Sequence, residues 1–168
     1  MRNSLLRSDI VRYGDGTGKG MLWFQKWWRR TQECKILPLK LIYYVFLRIT
    51  SKKSFVELSF HVKCGPGFYI GHPFGITINP NVVMGERVSL SKGVTIGQEN
   101  RGKRKGTPTI GNRVWIGVNA TIVGNIKIGD DVMICPNTFV NCDIPDHSIV
   151  LGNPCIIKHR ENATEGYL

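Results

Sequence analysis

The sequence predicts a mainly-β fold, a triangular parallel β-helix led by a small helical region, and three observations carry that prediction. The first is a period of six. Ile110, Ile116, Ile122, Ile128, Ile134 and Val140 recur at every sixth position, which fits neither the three-to-four spacing of a helix nor the alternation of a strand. The second is a companion register, with Val114, Ala120, Ile126 and Val132 each two residues before an anchor. The third is glycine directly after the anchor at Gly111, Gly117 and Gly129, where a turn between short strands needs a backbone free of Cβ constraints. Each hexad reads as one face of a coil, and three hexads complete a triangular turn.

The same period runs upstream in another phase. Ile78, Met84, Leu90 and Ile96 are six apart, with Ile76, Val82, Val88 and Val94 two before each. Between Ile96 and Ile110 the spacing is fourteen, two hexads plus two, so the register breaks once. The break falls at residues 98–108, QENRGKRKGTP, where nothing suits a core. It reads as a loop thrown out of the coil, the place where a regular solenoid carries function.

Residues 55–60 (FVELSF) read as the strand that enters the coil, and residues 64–67 (CGPG) as the turn after it. Extending the upstream register back by six from Ile78 lands on His72, in the segment Tyr69-Ile70-Gly71-His72-Pro73-Phe74-Gly75. An imidazole where the pattern asks for an aliphatic side chain marks a candidate functional position. The other histidines have structural explanations: His61 at a strand edge, His147 in a turn, His159 in a basic tail. After Val140 the period decays through a turn at residues 143–147, a last strand at 148–151 and a tight reversal at Gly152-Asn153-Pro154. The tail from Lys158 reads as polar and peripheral.

Charge is lopsided. The whole chain has 23 Lys plus Arg against 12 Asp plus Glu, a net +11, which implies acidic partners. Residues 1–54 hold twelve of the cations against Asp9, Asp15 and Glu33, so 12 − 3 = +9 of that excess sits there. Three divisions follow: a basic helical region at 1–54, the β-helix at 55–157 and a tail at 158–168. Within the first, Ser8-Asp9 reads as the cap of a short helix ending before the Gly14-Asp15-Gly16-Thr17-Gly18 turn. The run at 21–30 (MLWFQKWWRR) is aromatic and basic. The stretch at 36–50 is a second apolar helix with Pro38 in its first turn. These helices read as a cap on one end of the coil, or as a surface resting on a membrane. Five cysteines without CxxC spacing argue for reduced thiols in a cytoplasmic protein, and against a disulfide framework or a structural zinc. No apolar run approaches the roughly 20 residues needed to span a bilayer, and no secretory leader is evident.

Taken together, the hexads, the Gly-His-Pro-Phe-Gly segment, the Lys/Arg-rich loop ending in Thr107-Pro108-Thr109-Ile110-Gly111 and the closing Val150-Leu151-Gly152-Asn153-Pro154 resemble the hexapeptide-repeat acyltransferases. Within these the chain is most similar to the serine acetyltransferase branch. The resemblance implies a left-handed parallel β-helix, a homotrimer with active sites between subunits, and acetyl-CoA as donor. It matches His72 to the catalytic histidine and Glu57 to the carboxylate supporting it. Gly97, Val118 and Pro136 match turns that contact the pantetheine arm or the CoA nucleotide, although Pro136 has no amide hydrogen to donate. Arg101, Lys103, Arg104 and Lys105 are candidates for the CoA phosphates. No metal is implied, because no second His or carboxylate stands at ligand spacing near His72.

Two departures bear on the acceptor. The family's aspartate before the catalytic histidine is Gly71 here, and its Arg-His pair before the loop's proline is Gly106-Thr107. Those residues grip the ammonium and carboxylate of serine, so the sequence points to a sugar hydroxyl in surface-polysaccharide biosynthesis, with serine as the alternative. The reaction expected is direct acetyl transfer to a hydroxyl with His72 as general base. A competing reading is a non-catalytic scaffold docked to a membrane or an assembly partner through residues 1–54, and the localisation expected is cytoplasmic or peripheral at the inner membrane face. A carbonic-anhydrase-like β-helix is excluded, because no histidine lies between Gly75 and Val140.

Overall fold

Both hexad registers point inward: every anchor from Ile76 to Val140 is buried, most of them completely. The computed structural model describes residues 4–14 and 20–168, and the glycine-rich turn expected at 14–18 lies, apart from Gly14, outside them. Strands of two to four residues stack in three sheets. The first contains β1 (Glu57–Leu58), β4 (Thr77–Ile78), β7 (Thr95–Gly97), β10 (Thr121–Val123) and β13 (Phe139–Val140), all parallel. The second contains β2 (Lys63–Cys64), β5 (Val83–Met84), β8 (Thr109–Ile110) and β11 (Lys127–Ile128). The third contains β3 (Tyr69–Ile70), β6 (Ser89–Leu90), β9 (Val114–Ile116), β12 (Val132–Ile134) and β14 (Ser148–Leu151), closed by an antiparallel β15 (Ile156–His159). Five strands in the first sheet mean five passes of a parallel β-helix.

Register measures each coil. Thr77 pairs with Thr95 and Thr121 with Phe139, both 18 apart, which is three hexads. Thr95 pairs with Thr121, 26 apart, so the loop at 98–108 adds eight residues to one coil. It is a small hairpin, with Glu99 and Gly106 bridged antiparallel and residues 100–105 exposed. Pro108, expected in the loop, is buried at its base. The entering strand is shorter than expected: β1 starts at Glu57, and Phe55 is exposed with a left-handed φ of 49°.

The post-anchor glycines answer to a different constraint from a turn's dihedral angles. A Cβ on Gly117 would stand 2.6 Å from the backbone N of Pro136 in the next coil, and one on Gly111 would stand 2.6 Å from the carbonyl of Gly129. Neighbouring coils approach too closely there for a side chain. The left-handed positions come two residues later, at Arg113, Asn119, Asp131 and Asn137, with φ between 52° and 58°.

Helices α1 (Leu5–Gly14), α2 (Trp23–Glu33) and α3 (Leu37–Lys52) cover the open end of the coil. The first coil has no predecessor, so its backbone would present an unpaired edge; polar side chains of α1 and α2 pair it instead. Asp9 accepts from Phe68 N–H, and Gln25 donates to Phe68 C=O. Arg29 donates to the carbonyls of Cys64 and Gly65, and Gln32 to those of Phe60 and Val62. Trp28 donates to Ser59 C=O, and the Tyr13 hydroxyl both donates to Ile70 C=O and accepts from its N–H. Asp9 is therefore not the helix cap expected from sequence: it sits inside α1, fully buried, in an ion pair with Arg29 at 2.7 Å. Trp28 and Arg29, from the aromatic and basic run, are likewise buried, as the reading of these helices as a cap on the coil requires.

The tail is not peripheral. Asp131, buried at a coil corner, accepts from Ala163 N–H, Thr164 N–H, the Thr164 hydroxyl, His147 and Arg113. Burial by itself would raise its pKa, but these hydrogen bonds outweigh it and hold the carboxyl well below the usual range. The same contact raises the pKa of His147. Tyr167 then packs on Trp115, ring centroids 4.7 Å apart.

Candidate active site

His72 does not occupy a hexad slot. From Tyr69 to Thr77 the chain takes eight residues, whereas the equivalent step from Ser89 to Thr95 takes six. The two extra residues lengthen the turn between β3 and β4, and His72 rides on it, exposed. The count of six reaches His72 for the wrong reason: Ile70, paired with Leu90, fills the core slot before Ile78, and the imidazole faces out because the turn is longer than its counterparts. Phe74 N–H donates to His72 C=O, tightening the turn, and Phe74 is exposed with its ring 5.4 Å from that of Phe55.

Glu57 is the first residue of β1, paired with Thr77, its side chain outward on the first sheet. It lines a cleft of about 820 Å³ between α3 and the first coil, together with Arg48, Lys52, Phe55 and His61. His61 had a purely structural explanation from sequence, yet it shares this cleft and contacts Ser59 Oγ at 3.2 Å. Arg48 and Lys52 come from α3, so no repeat pattern could have linked them to Glu57. No hydrogen bond joins Glu57 to His72 among the described residues.

Val118 and Pro136 occupy the corner between the third and first sheets, the same corner as His72 but two and three coils further along. They are stacked one coil apart, with Asn137 N–H donating to Val118 C=O at 2.8 Å. Gly97 ends β7 at the opposite edge of the first sheet, where the loop leaves. Arg101, Lys103, Arg104 and Lys105 are all exposed on that loop. Its backbone is anchored, since Arg104 C=O accepts from Asn125 N–H. Thr107, where the family has a serine-gripping residue, donates to Asn81 C=O.

Sites for other chemistry are not apparent. Among the described residues no cluster of three or more His, Cys, Asp or Glu could hold a metal. The five cysteines are free thiols; burial pushes Cys64 up to about 12, far from a reactive thiolate.

Comparison with known proteins agrees with the repeat fold. A family model described as bacterial transferase hexapeptide (six repeats) matches residues 107–142. The serine acetyltransferase of Helicobacter pylori (strain ATCC 700392 / 26695) is 38% identical over 98 residues, 58% of this chain and 57% of that protein. Among solved structures, the serine acetyltransferase from Brucella abortus strain S19 superposes with a TM-score of 0.79 at 24% identity, covering 95% of this chain and 69% of that one. A serine acetyltransferase in complex with CoA superposes with a TM-score of 0.75 at 24% identity, over 92% of this chain and 68% of that one. At these identities the superpositions establish the fold. The chain spans a little over half the length of the Helicobacter relative.

Proposed function

We propose that this chain, a hexapeptide-repeat protein resembling the serine acetyltransferase branch, is an acyltransferase that moves an acetyl group from acetyl-CoA to an acceptor hydroxyl. The observation carrying the proposal is the exposed His72 on a turn two residues longer than the equivalent turn of the next coil, in a fold shared with a CoA-bound acetyltransferase. A hydroxyl is a weak nucleophile at neutral pH, and an imidazole within reach supplies the base it lacks. His72 takes the hydroxyl proton as the oxygen attacks the thioester carbonyl. When the tetrahedral intermediate collapses, the C–S bond breaks and the proton passes to the CoA sulfur. Glu57 acts as a positioning residue for the imidazole. Gly97, Val118 and Pro136 line the path of the pantetheine arm, and Arg101, Lys103, Arg104 and Lys105 meet the phosphates.

The same reading calls for a homotrimer. One copy holds the His72 turn and the basic loop at opposite edges of its first sheet. A site that uses both takes the loop from a neighbouring copy.

Serine is the acceptor that the relatives favour, and nothing in the comparisons supports surface-polysaccharide biosynthesis. A sugar hydroxyl is kept as the second reading on one specific observation. Gly71 and Gly106 have no side chain for an ammonium or a carboxylate, and the Thr107 hydroxyl is engaged by Asn81.

The test is thiol release from acetyl-CoA with L-serine and with nucleotide sugars, for the native chain and His72→Ala. The variant is expected to keep its circular dichroism and lose turnover by about 10²- to 10⁴-fold. Turnover near the native rate would remove His72 from the reaction. Release with serine alone would settle the acceptor in favour of the relatives.

A further inference from the structure

Helix α3 has a face that the fold leaves bare. Its inner side is occupied: Phe46 and Tyr43 pack on Trp27, Tyr44 on Phe60, and Leu47 is buried. On the outer side Leu37, Leu41, Val45 and Ile49 follow one another at steps of four, 68%, 57%, 53% and 52% exposed. Side chains four apart form a continuous ridge along a helix. Ile42, on the flank of that ridge, is also half exposed.

The adjacent row at steps of four is Lys40, Tyr44, Arg48 and Lys52. An apolar ridge therefore runs beside a row that is basic at Lys40, Arg48 and Lys52, with Lys40 and Tyr44 against the Phe60 ring and Arg48 and Lys52 at the rim of the Glu57 cleft. Lys35 and Lys53 extend the basic character past its two ends, and no Asp or Glu occurs from residue 34 to residue 56. None of these five cations belongs to an ion pair among the described residues.

Charge decides between occupants. If a second copy covered the ridge with its own α3, five cations would face five others with only Glu57, which shares the cleft of Arg48 and Lys52, lining that cleft in each copy, a like-charge contact that an interface avoids. An anionic lipid surface meets both rows at once: the aliphatic ridge enters the acyl boundary, and the long basic side chains reach back to the headgroups. At 16 residues α3 is about 24 Å long, and no helix among the described residues is long and apolar enough to cross a membrane. The helix would lie in the interface plane rather than span it.

We propose that α3 docks this protein on the surface of an anionic membrane. The contact belongs to the Leu37–Leu41–Val45–Ile49 ridge and not to the aromatic run of α2, whose Trp28 and Arg29 are spent on the coil edge. The full chain is tested by sedimentation with vesicles of phosphatidylglycerol mixed with phosphatidylcholine, and with vesicles of phosphatidylcholine alone. The partner variant is Leu41→Glu/Val45→Glu, whose altered side chains are already exposed and leave the core untouched.

The native chain is expected to prefer the anionic vesicles by about tenfold or more and to release as salt is raised. The variant is expected to lose at least about tenfold of that binding while keeping its circular dichroism and its mass by light scattering. The proposal is overturned by any of four results: no binding to anionic vesicles, equal binding to both lipids, undiminished binding by the variant, or a change in the variant's assembly mass. The last result would reassign the ridge to a contact between copies of the chain.

Discussion

Replacing Arg29 with Met tests whether the helical region is bound to the coil by a buried charge pair. In the native structure the guanidinium donates to both Asp9 carboxylate oxygens, at 2.7 and 3.1 Å, and to the carbonyls of Cys64 and Gly65, at 2.9 and 2.7 Å. Methionine fills much of the volume but leaves Asp9 with the Gln25 amide and the Phe68 N–H as its donors among the described residues. It also strands two carbonyls on the edge of the first coil. Breaking a buried pair from one side costs about 3–5 kcal/mol. With a urea slope of about 2 kcal/mol per molar, the midpoint should fall by roughly 2 M. Urea unfolding followed by tryptophan fluorescence reads this directly, at one fixed protein concentration because assembly shifts apparent stability. Asp9→Asn/Arg29→Met is the informative companion, since the amide oxygen of the new side chain still accepts from Phe68 N–H and no charge remains buried. The double variant should be more stable than Arg29→Met alone. If the single variant lies within about 1 kcal/mol of native, or the double is no better than the single, the pair does not hold the cap as argued.

Three further outcomes follow. Gly117→Ala drives a Cβ to within 2.6–2.9 Å of the backbone at residues 134–136, so it should destabilise by about 1–3 kcal/mol in the same assay; an unchanged midpoint would mean the coils can spread there. The tail contact should respond to pH at both ends. His147 has a raised pKa, so its contribution is complete below its unfolded value of about 6.5 and is lost as pH rises through the folded one; Asp131 has a lowered pKa, so its contribution is present above about 3.9 and is lost as pH falls through the folded one. Amide protection at Ala163 and Thr164, taken relative to the unfolded-chain exchange rate at each pH, should therefore be greatest between about pH 4 and 6.5, and protection independent of pH would separate the tail from both groups. Finally, replacing Arg101, Lys103, Arg104 and Lys105 together with Gln should raise the KM for acetyl-CoA by about tenfold at low salt, at about 0.3 kcal/mol for each exposed cation. S-acetylpantetheine, which lacks the nucleotide phosphates, should be unaffected; an equal loss with both donors would remove the loop from phosphate binding.

The sequence by itself determined the coil. A period of six admits no other placement for Ile110 through Val140, since each anchor faces the axis and each post-anchor glycine lies against the next coil. It also located the excursion at 98–108, because a cationic run cannot be packed in a prism of aliphatics. What periodicity could not register was anything depending on contacts between distant segments. Asp9 read as part of a helix cap and Arg29 as one cation of an aromatic and basic run, and only the packing of α1 and α2 on an unpaired strand edge makes them a buried pair. The tail read as polar until Asp131, four coils into the solenoid, gathered its amides. Counting by six lands on His72 only if every coil has the same length, and the pairing of Tyr69 with Ser89 shows one that is two residues longer. Repeats reveal themselves in sequence because each unit meets only its neighbours. The edge of the first coil, the corner that holds the tail and the bare ridge of α3 are features of the ends, where the repeat has no neighbour and tertiary structure decides what takes its place.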